Sequence, residues 1–264
     1  SLGHNFPDVV VSTFSTPDWD FTRERDRSEF LKLVRKERPH FVFMAPPCTK
    51  WSPIQQMNAR TSRQKKELMD ERDQEEKSHL KLVREVFDIG GHEDIPAGME
   101  HPALAASWET ETMKTMKGYY EAVCHRCRTG LEAVDDEGRR GKVKKPTKIR
   151  TKSRGVAEAM DLPCLCKEKH VQMMGRGKEL KEMQNYEEGF VKILAQAIYN
   201  EMEKQWQKRE MCAIMVAEEM NDNEVKEEED KGKKKKVTEE EVKMAKDHGA
   251  EALKVVAKLH RQDR

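Results

Sequence analysis

The chain has 264 residues, 36% of them hydrophobic and 38% charged, with a mean hydropathy of −0.93. That balance excludes a core running through the whole length, so part of the chain is expected to carry none. A formal net charge of +1 excludes any case for a nucleic-acid partner from global charge, and electrostatic arguments have to be local.

In chain order, Pro7 to Phe14, with Val9-Val10-Val11 at its centre, reads as a first strand. Asp18, Trp19 and Asp20 follow in a turn-rich loop. Asp26-Arg27-Ser28-Glu29 opens a helix, because Asp26 can cap it and Glu29 lies three residues on. Pro39 ends it, and Phe41 to Met44 is the next strand, which completes one strand–helix–strand crossover unit. The apolar run stops at Ala45-Pro46-Pro47-Cys48-Thr49-Lys50-Trp51-Ser52, a corner where a buried strand leaves its sheet. Open α/β sheets place their chemistry at that edge.

Ile54 to Arg63 reads as a polar loop and Gln64 to Ile89 as one helix stopped by Gly90-Gly91. Ile95 to Met99 is a strand candidate, and Glu100-His101-Pro102 makes a second strand-to-loop corner. A helix is expected from about Ala103 to Lys117. Tyr119 to Leu131 and Lys144 to Thr151 read as hairpin partners joined by Asp135-Asp136-Glu137-Gly138. Pro163 to His170 is a Cys/His-bearing loop, and Glu187 to Trp206 is an amphipathic helix. The pattern indicates an α/β sheet with an antiparallel edge hairpin and a helical, partly disordered C-terminal extension. The domains expected are 1–177 for the α/β part, 178–220 for a helical extension, 221–241 for a charged disordered linker, and 242–264 for a C-terminal amphipathic helix.

No run approaches the roughly 18 apolar residues of a membrane span, and no leader of charged then apolar residues opens the sequence. The expectation is an intracellular, nuclear protein with no membrane partner. Its six cysteines are then thiols or metal ligands before they are disulfides. Ser1 reads as the edge of a fragment.

Three groups carry candidate chemistry. Cys48 is either a nucleophile, if a cation or helix N-terminus lowers its pKa, or a small buried apolar residue at a strand end. Nine Lys/Arg and no acid lie between Gly138 and Arg154, which suits phosphate contact or a solvated face. Cys124-His125-Arg126-Cys127 and Cys164-Leu165-Cys166 with His170 have zinc-like spacing, and Cys124, Cys127, Cys166 and His170 are the ligand set proposed.

The corner Ala45 to Ser52 resembles the Pro-Pro-Cys corner of the cytosine-C5 DNA methyltransferases. The resemblance implies a Rossmann-like methyltransferase sheet, S-adenosylmethionine as cofactor, and a nucleic-acid partner, DNA in preference to RNA. It also implies that Cys48 adds to C6 of a cytosine flipped out of the stack. Glu100, in Met99-Glu100-His101-Pro102, is similar to the family's base-orienting acid, facing N3 and the amino group. The bland alternative for Glu100 is a helix-capping carboxylate. Asp20 and Pro46 look like cofactor contacts. Ser52, Lys145, Lys148, Arg150 and Lys152 stand where the family holds nucleic acid and the cysteine loop. The chain departs from the family in lacking its Phe-x-Gly-x-Gly turn, in carrying Thr49 where a Gln is usual, and in having no Gln-x-Arg-x-Arg. Lys258-Leu259-His260-Arg261 and the Cys/His loop resemble parts of retrotransposon polyproteins that serve DNA integration. Two functions follow: a DNA cytosine-5 methyltransferase, or a non-catalytic nucleic-acid-binding module of such a polyprotein. A scaffold kept soluble by its charge runs is a third.

Overall fold

The computed structural model describes residues 11–15, 17–135, 137–171 and 185–207. The chain divides into one unit of Phe14–Gln205 and another of Ser1–Thr13 with Trp206–Arg264. Of the second, only residues 11–13 and 206–207 are described. The expected linker at 221–241, the C-terminal helix at 242–264 and residues 7–10 of the expected first strand lie outside the described residues. Residues 11–14, the described part of that expected strand, form no strand.

The first helix, α1, spans Glu24–Glu37 and starts before Asp26 without a side-chain cap. Asp26 lies inside it, buried, and accepts the Asp20 backbone N–H at 3.0 Å. Arg38 ends α1 as a left-handed cap at φ 44°, its N–H donating to the Val34 carbonyl. Strand β1 is Val42–Met44. A 3-10 turn, Thr49–Trp51, leads into helix α2, Pro53–Asn58, where a polar loop was expected, and then into α3, Ser62–Glu75, the first part of the helix expected from Gln64. Ser52 caps α2, and Thr61 with Gln64 forms a capping box on α3.

A π-helical turn, Glu76–Leu80, joins α3 to α4, Lys81–Glu93. Gly90-Gly91 does not stop this helix. It runs on to Asp94, which turns the chain at φ 55°. Gly90 is instead a point of close approach: a Cβ there would stand 2.3 Å from the Ile95 carbonyl oxygen.

Strand β2, Ala97–Pro102, follows, paired parallel to β1 with Met44 opposite Met99. Among the described residues the parallel crossover of the sheet is β1–α4–β2. In place of a long helix over 103–117 stand a 3-10 turn, Ala106–Glu109, and the one-turn helix α5, Glu111–Lys114. Strand β3, Tyr120–His125, ends earlier than expected in a 3-10 turn, Arg126–Arg128. The Asp135–Gly138 turn closes a separate small hairpin of β4, Glu132–Val134, and β5, Arg140–Lys142. Strand β6, Pro146–Thr151, pairs antiparallel with β3 as expected, but it is inserted between β3 and β2, giving the order β1-β2-β6-β3.

Alternation along the strands sends side chains to two cores. Val42, Ala97 and Met99 face Phe30 and Val34 of α1 and Leu82, Val83, Val86 and Phe87 of α4. Ala122, Cys124 and Ile149 face α6, Arg154–Met160, and α7, residues 188–207, with Val156, Met160, Phe190 and Ala197 buried there. The result is a mixed α/β unit with helices on both faces of a mixed sheet. Among the described residues no helix is long and apolar enough to cross a membrane.

Candidate functional site

The Cys48 corner comes together with Glu100, but the second corner expected at Glu100-His101-Pro102 is not a corner: β2 runs on through it, because these residues pair with β6. Cys48 follows β1 and Glu100 lies on β2, one residue beyond the Met44–Met99 pair. The tie between the Cys48 corner and β2 is His101, fully buried. Its Nε2 meets the Pro47 carbonyl oxygen at 3.2 Å and its Nδ1 meets Ser107 Oγ at 2.6 Å. A carbonyl can only accept, so Nε2 carries the proton and Nδ1 accepts from the Ser107 hydroxyl. Burial holds this imidazole neutral, its pKa lowered to about 4.

From the other side, Arg72 of α3 donates from Nε to the Lys50 carbonyl at 2.8 Å and lies over the buried Trp51 ring. Lys50 pairs with Glu71 at 2.7 Å. The loop bearing Cys48 is thus braced by β2 and by α3.

Cys48 is half-buried. Burial, and then the Glu100 charge, push its thiol above the ordinary range, while Lys145 acts against them. Glu100 is buried, and desolvation raises its affinity for a proton. The Tyr186 hydroxyl donates to Glu100 Oε1 and opposes that rise. Burial, followed by the neighbouring Arg126, lowers the pKa of Lys145.

Tyr186 was not singled out in the sequence. It stacks on Phe190 at 5.1 Å, and the fully buried Arg126 lies over both rings. Arg126 donates to both carboxylate oxygens of Glu187 and to the Asn185 carbonyl. This group sits in a part of the chain read only as the start of an amphipathic helix. An aromatic–acid pair beside a helix start was its only trace.

The residues assigned to cofactor and nucleic acid are scattered by comparison. Pro46 is at the Cys48 corner. Asp20 lies before α1 with its carboxylate taken up by the Thr22 backbone and hydroxyl and by Arg23, interactions that lower its pKa, the Thr22 hydroxyl first. Ser52 accepts the Ile54 N–H as the cap of α2. Arg150 is buried: its guanidinium meets Glu121 and the Met113 carbonyl and lies over Trp108 and Tyr119. Lys148 lies over Trp108 with Glu121 at 3.7 Å, and Lys152 donates to the Lys117 carbonyl. The acid-free appearance of 138–154 is local to the sequence. In the fold Arg139 meets Asp135, Arg140 meets Glu132, and Arg154 meets Glu158.

The cysteines divide differently from the expected set. Cys124 is fully buried in the core shared with α6 and α7, so it leaves the proposed ligands, and Cys164 replaces it. Cys127, Cys164, Cys166 and His170 bring four donor atoms within 4.8 Å of one another, a group that could hold a metal ion. Alternation along β3 explains the swap: Cys124 points into the core, while Cys127 belongs to the turn beyond the strand.

Comparison with protein-family models, with curated proteins and with solved structures finds no match for this chain.

Proposed function

We propose that the Phe14–Gln205 unit is a nucleic-acid-binding module of the cytosine-C5-methyltransferase type that reads an extruded base without transferring a methyl group. The observation that carries this reading is the buried Glu100 of β2 beside Cys48, which follows the neighbouring parallel strand β1. A carboxyl with raised proton affinity can donate to a ring nitrogen such as N3 and accept from the neighbouring amino group. Cytosine presents that pair on its Watson–Crick edge, and a flipped base exposes it. Single-stranded or extruded cytosine in DNA is the ligand this favours.

S-adenosylmethionine does not fit the described residues. Asp20, the candidate adenine contact, spends its carboxylate on Thr22 and Arg23. No glycine occurs between Gly3 and Gly90 to let a backbone close on the cofactor. Of the two groups in question, zinc suits the chain better, since thiolates and imidazole are its usual ligands.

The catalytic alternative keeps one argument: the raised proton affinity of Glu100 is what protonation of N3 during thiol addition needs. Against it stands the raised pKa of Cys48, since the thiolate is the attacking species. Titration of cytosine-rich and thymine-rich single strands with the full chain tests the proposal. Cytosine preference lost in Glu100→Ala is expected, with no heat from S-adenosylmethionine at millimolar concentration. Equal affinity for both strands would sink the base-reading claim. A covalent adduct on 5-fluorocytosine DNA that disappears in Cys48→Ala would restore the enzyme.

A further inference from the structure

The Cys/His cluster supports a more specific statement than that a metal could sit there. Resting on the zinc reading above, we infer that Cys127, Cys164, Cys166 and His170 form a closed, four-ligand structural zinc site. It clamps the 161–171 segment onto the turn that carries Arg126.

Geometry comes first. Tetrahedral zinc, with Zn–S of about 2.3 Å and Zn–N of about 2.0 Å, sets its donor atoms about 3.6–3.8 Å apart. The four donors already lie within 4.8 Å of one another, and Cys164 Sγ stands 3.4 Å from His170 Nε2. Shifts of about 1 Å close the site. Three sulfurs and one imidazole nitrogen select zinc over the oxygen-seeking cations, and four protein ligands leave no open position for a substrate.

The ligands are also held from behind. The Cys166 N–H donates to Cys164 Sγ at 3.4 Å, and the Cys164 N–H donates to His125 Nδ1 at 2.7 Å. Such outer bonds orient ligands and recur around structural metals.

The segment has need of a crosslink. Residues 161–171 contain no helix or strand, and Leu165 is 70% exposed. Their backbone bonds to neighbouring elements include Leu162 O with the His125 N–H and the Val171 N–H with Lys142 O. Ordering such a stretch costs about 1–2 kcal/mol per residue in backbone entropy, and little apolar burial offsets it. A metal centre supplies folding free energy directly. Because Cys127 shares its turn with Arg126, the same bond fixes the residue that holds Glu187 and backs Tyr186.

The full chain, expressed with zinc and analysed by elemental mass spectrometry, should carry one zinc. Cys124→Ser and His170→Cys should keep it, and Cys164→Ser and Cys166→Ser should lose it. Cobalt substitution should give thiolate charge-transfer bands and tetrahedral d–d bands. In the wild type, chelation should speed hydrogen exchange of 126–129 and 161–171 by about tenfold or more, with β2 and α4 unchanged. If Cys164→Ser fails to fold, the His170→Cys and chelation arms decide. A chain without zinc overturns the zinc reading and the clamp with it. Zinc lost in Cys124→Ser overturns the ligand set. Zinc bound with exchange unaffected by chelation, or with protection lost throughout, overturns the clamp and leaves the zinc reading standing.

Discussion

Burial and the Glu100 carboxyl both hold the proton on Cys48, and a single substitution separates them. Glu100→Gln keeps the volume and removes the charge, so the thiol pKa falls and more thiolate is present at a given pH. Site-resolved alkylation of Cys48 at pH 7.5 should be faster in the variant than in the wild type. An unchanged rate would mean that the two groups do not sense each other. His101 makes the opposite kind of test. Its folded pKa is depressed to about 4, so its contribution to stability is present above its unfolded value near 6.5. That contribution is lost as pH falls through the folded value. Denaturant titrations should show about 3 kcal/mol of stability lost between pH 6.5 and 4 from this group, and His101→Asn should flatten that part of the profile. Cys48 and Glu100 were legible in the sequence because each ends a short apolar run. Tyr186 was not, because its partner Glu100 lies 86 residues away and nothing local marks the contact. Arg150 misled for the same reason: its counter-charge, Glu121, comes from another strand.

At the scale of elements, Gly90 serves close approach rather than helix termination. A Cβ on Gly90 would stand 2.3 Å from the Ile95 carbonyl oxygen, and a backbone atom cannot swing away as a side chain can. Gly90→Ala should therefore cost about 3 kcal/mol, at the upper end for overpacking, despite the gain in helix propensity that alanine brings. A urea melt against the wild type measures it, and a neutral or stabilised variant would show that α4 and β2 can part. The helices α1, α4 and α7 were readable from their apolar stripes, and β1 and β2 from short apolar runs. The order of β3 and β6 was not, because adjacent sequence suggests a hairpin while β6 also completes β2. The small hairpin of β4 and β5 took the turn that seemed to join them.

For the whole molecule, the consequence of pairing is a muted electrostatic footprint. Nine free cations would give a log–log salt slope for duplex DNA of about −8. With Arg139, Arg140, Lys148, Arg150 and Arg154 all set against acids of the same domain, a slope of about −4 or shallower is expected. Binding should then depend more on an accessible base than on duplex phosphates. A steep slope with equal affinity for any duplex would point to a general phosphate binder instead.

The π-helical turn between α3 and α4 fixes the phase between two docking tasks. Arg72 must face the Lys50 carbonyl while Val83, Val86 and Phe87 face the sheet. The wide turn carries one more residue than an α-helical path would. Removing or adding a residue within 76–80 would rotate one helix against the other by about 100°, unlatching either the Cys48 corner or the core. Insertions are better accommodated just upstream, in the 59–61 connection, where they leave this phase untouched. The spacing between Arg72 and the stripe of Val83, Val86 and Phe87 can therefore change only in steps that preserve helical phase.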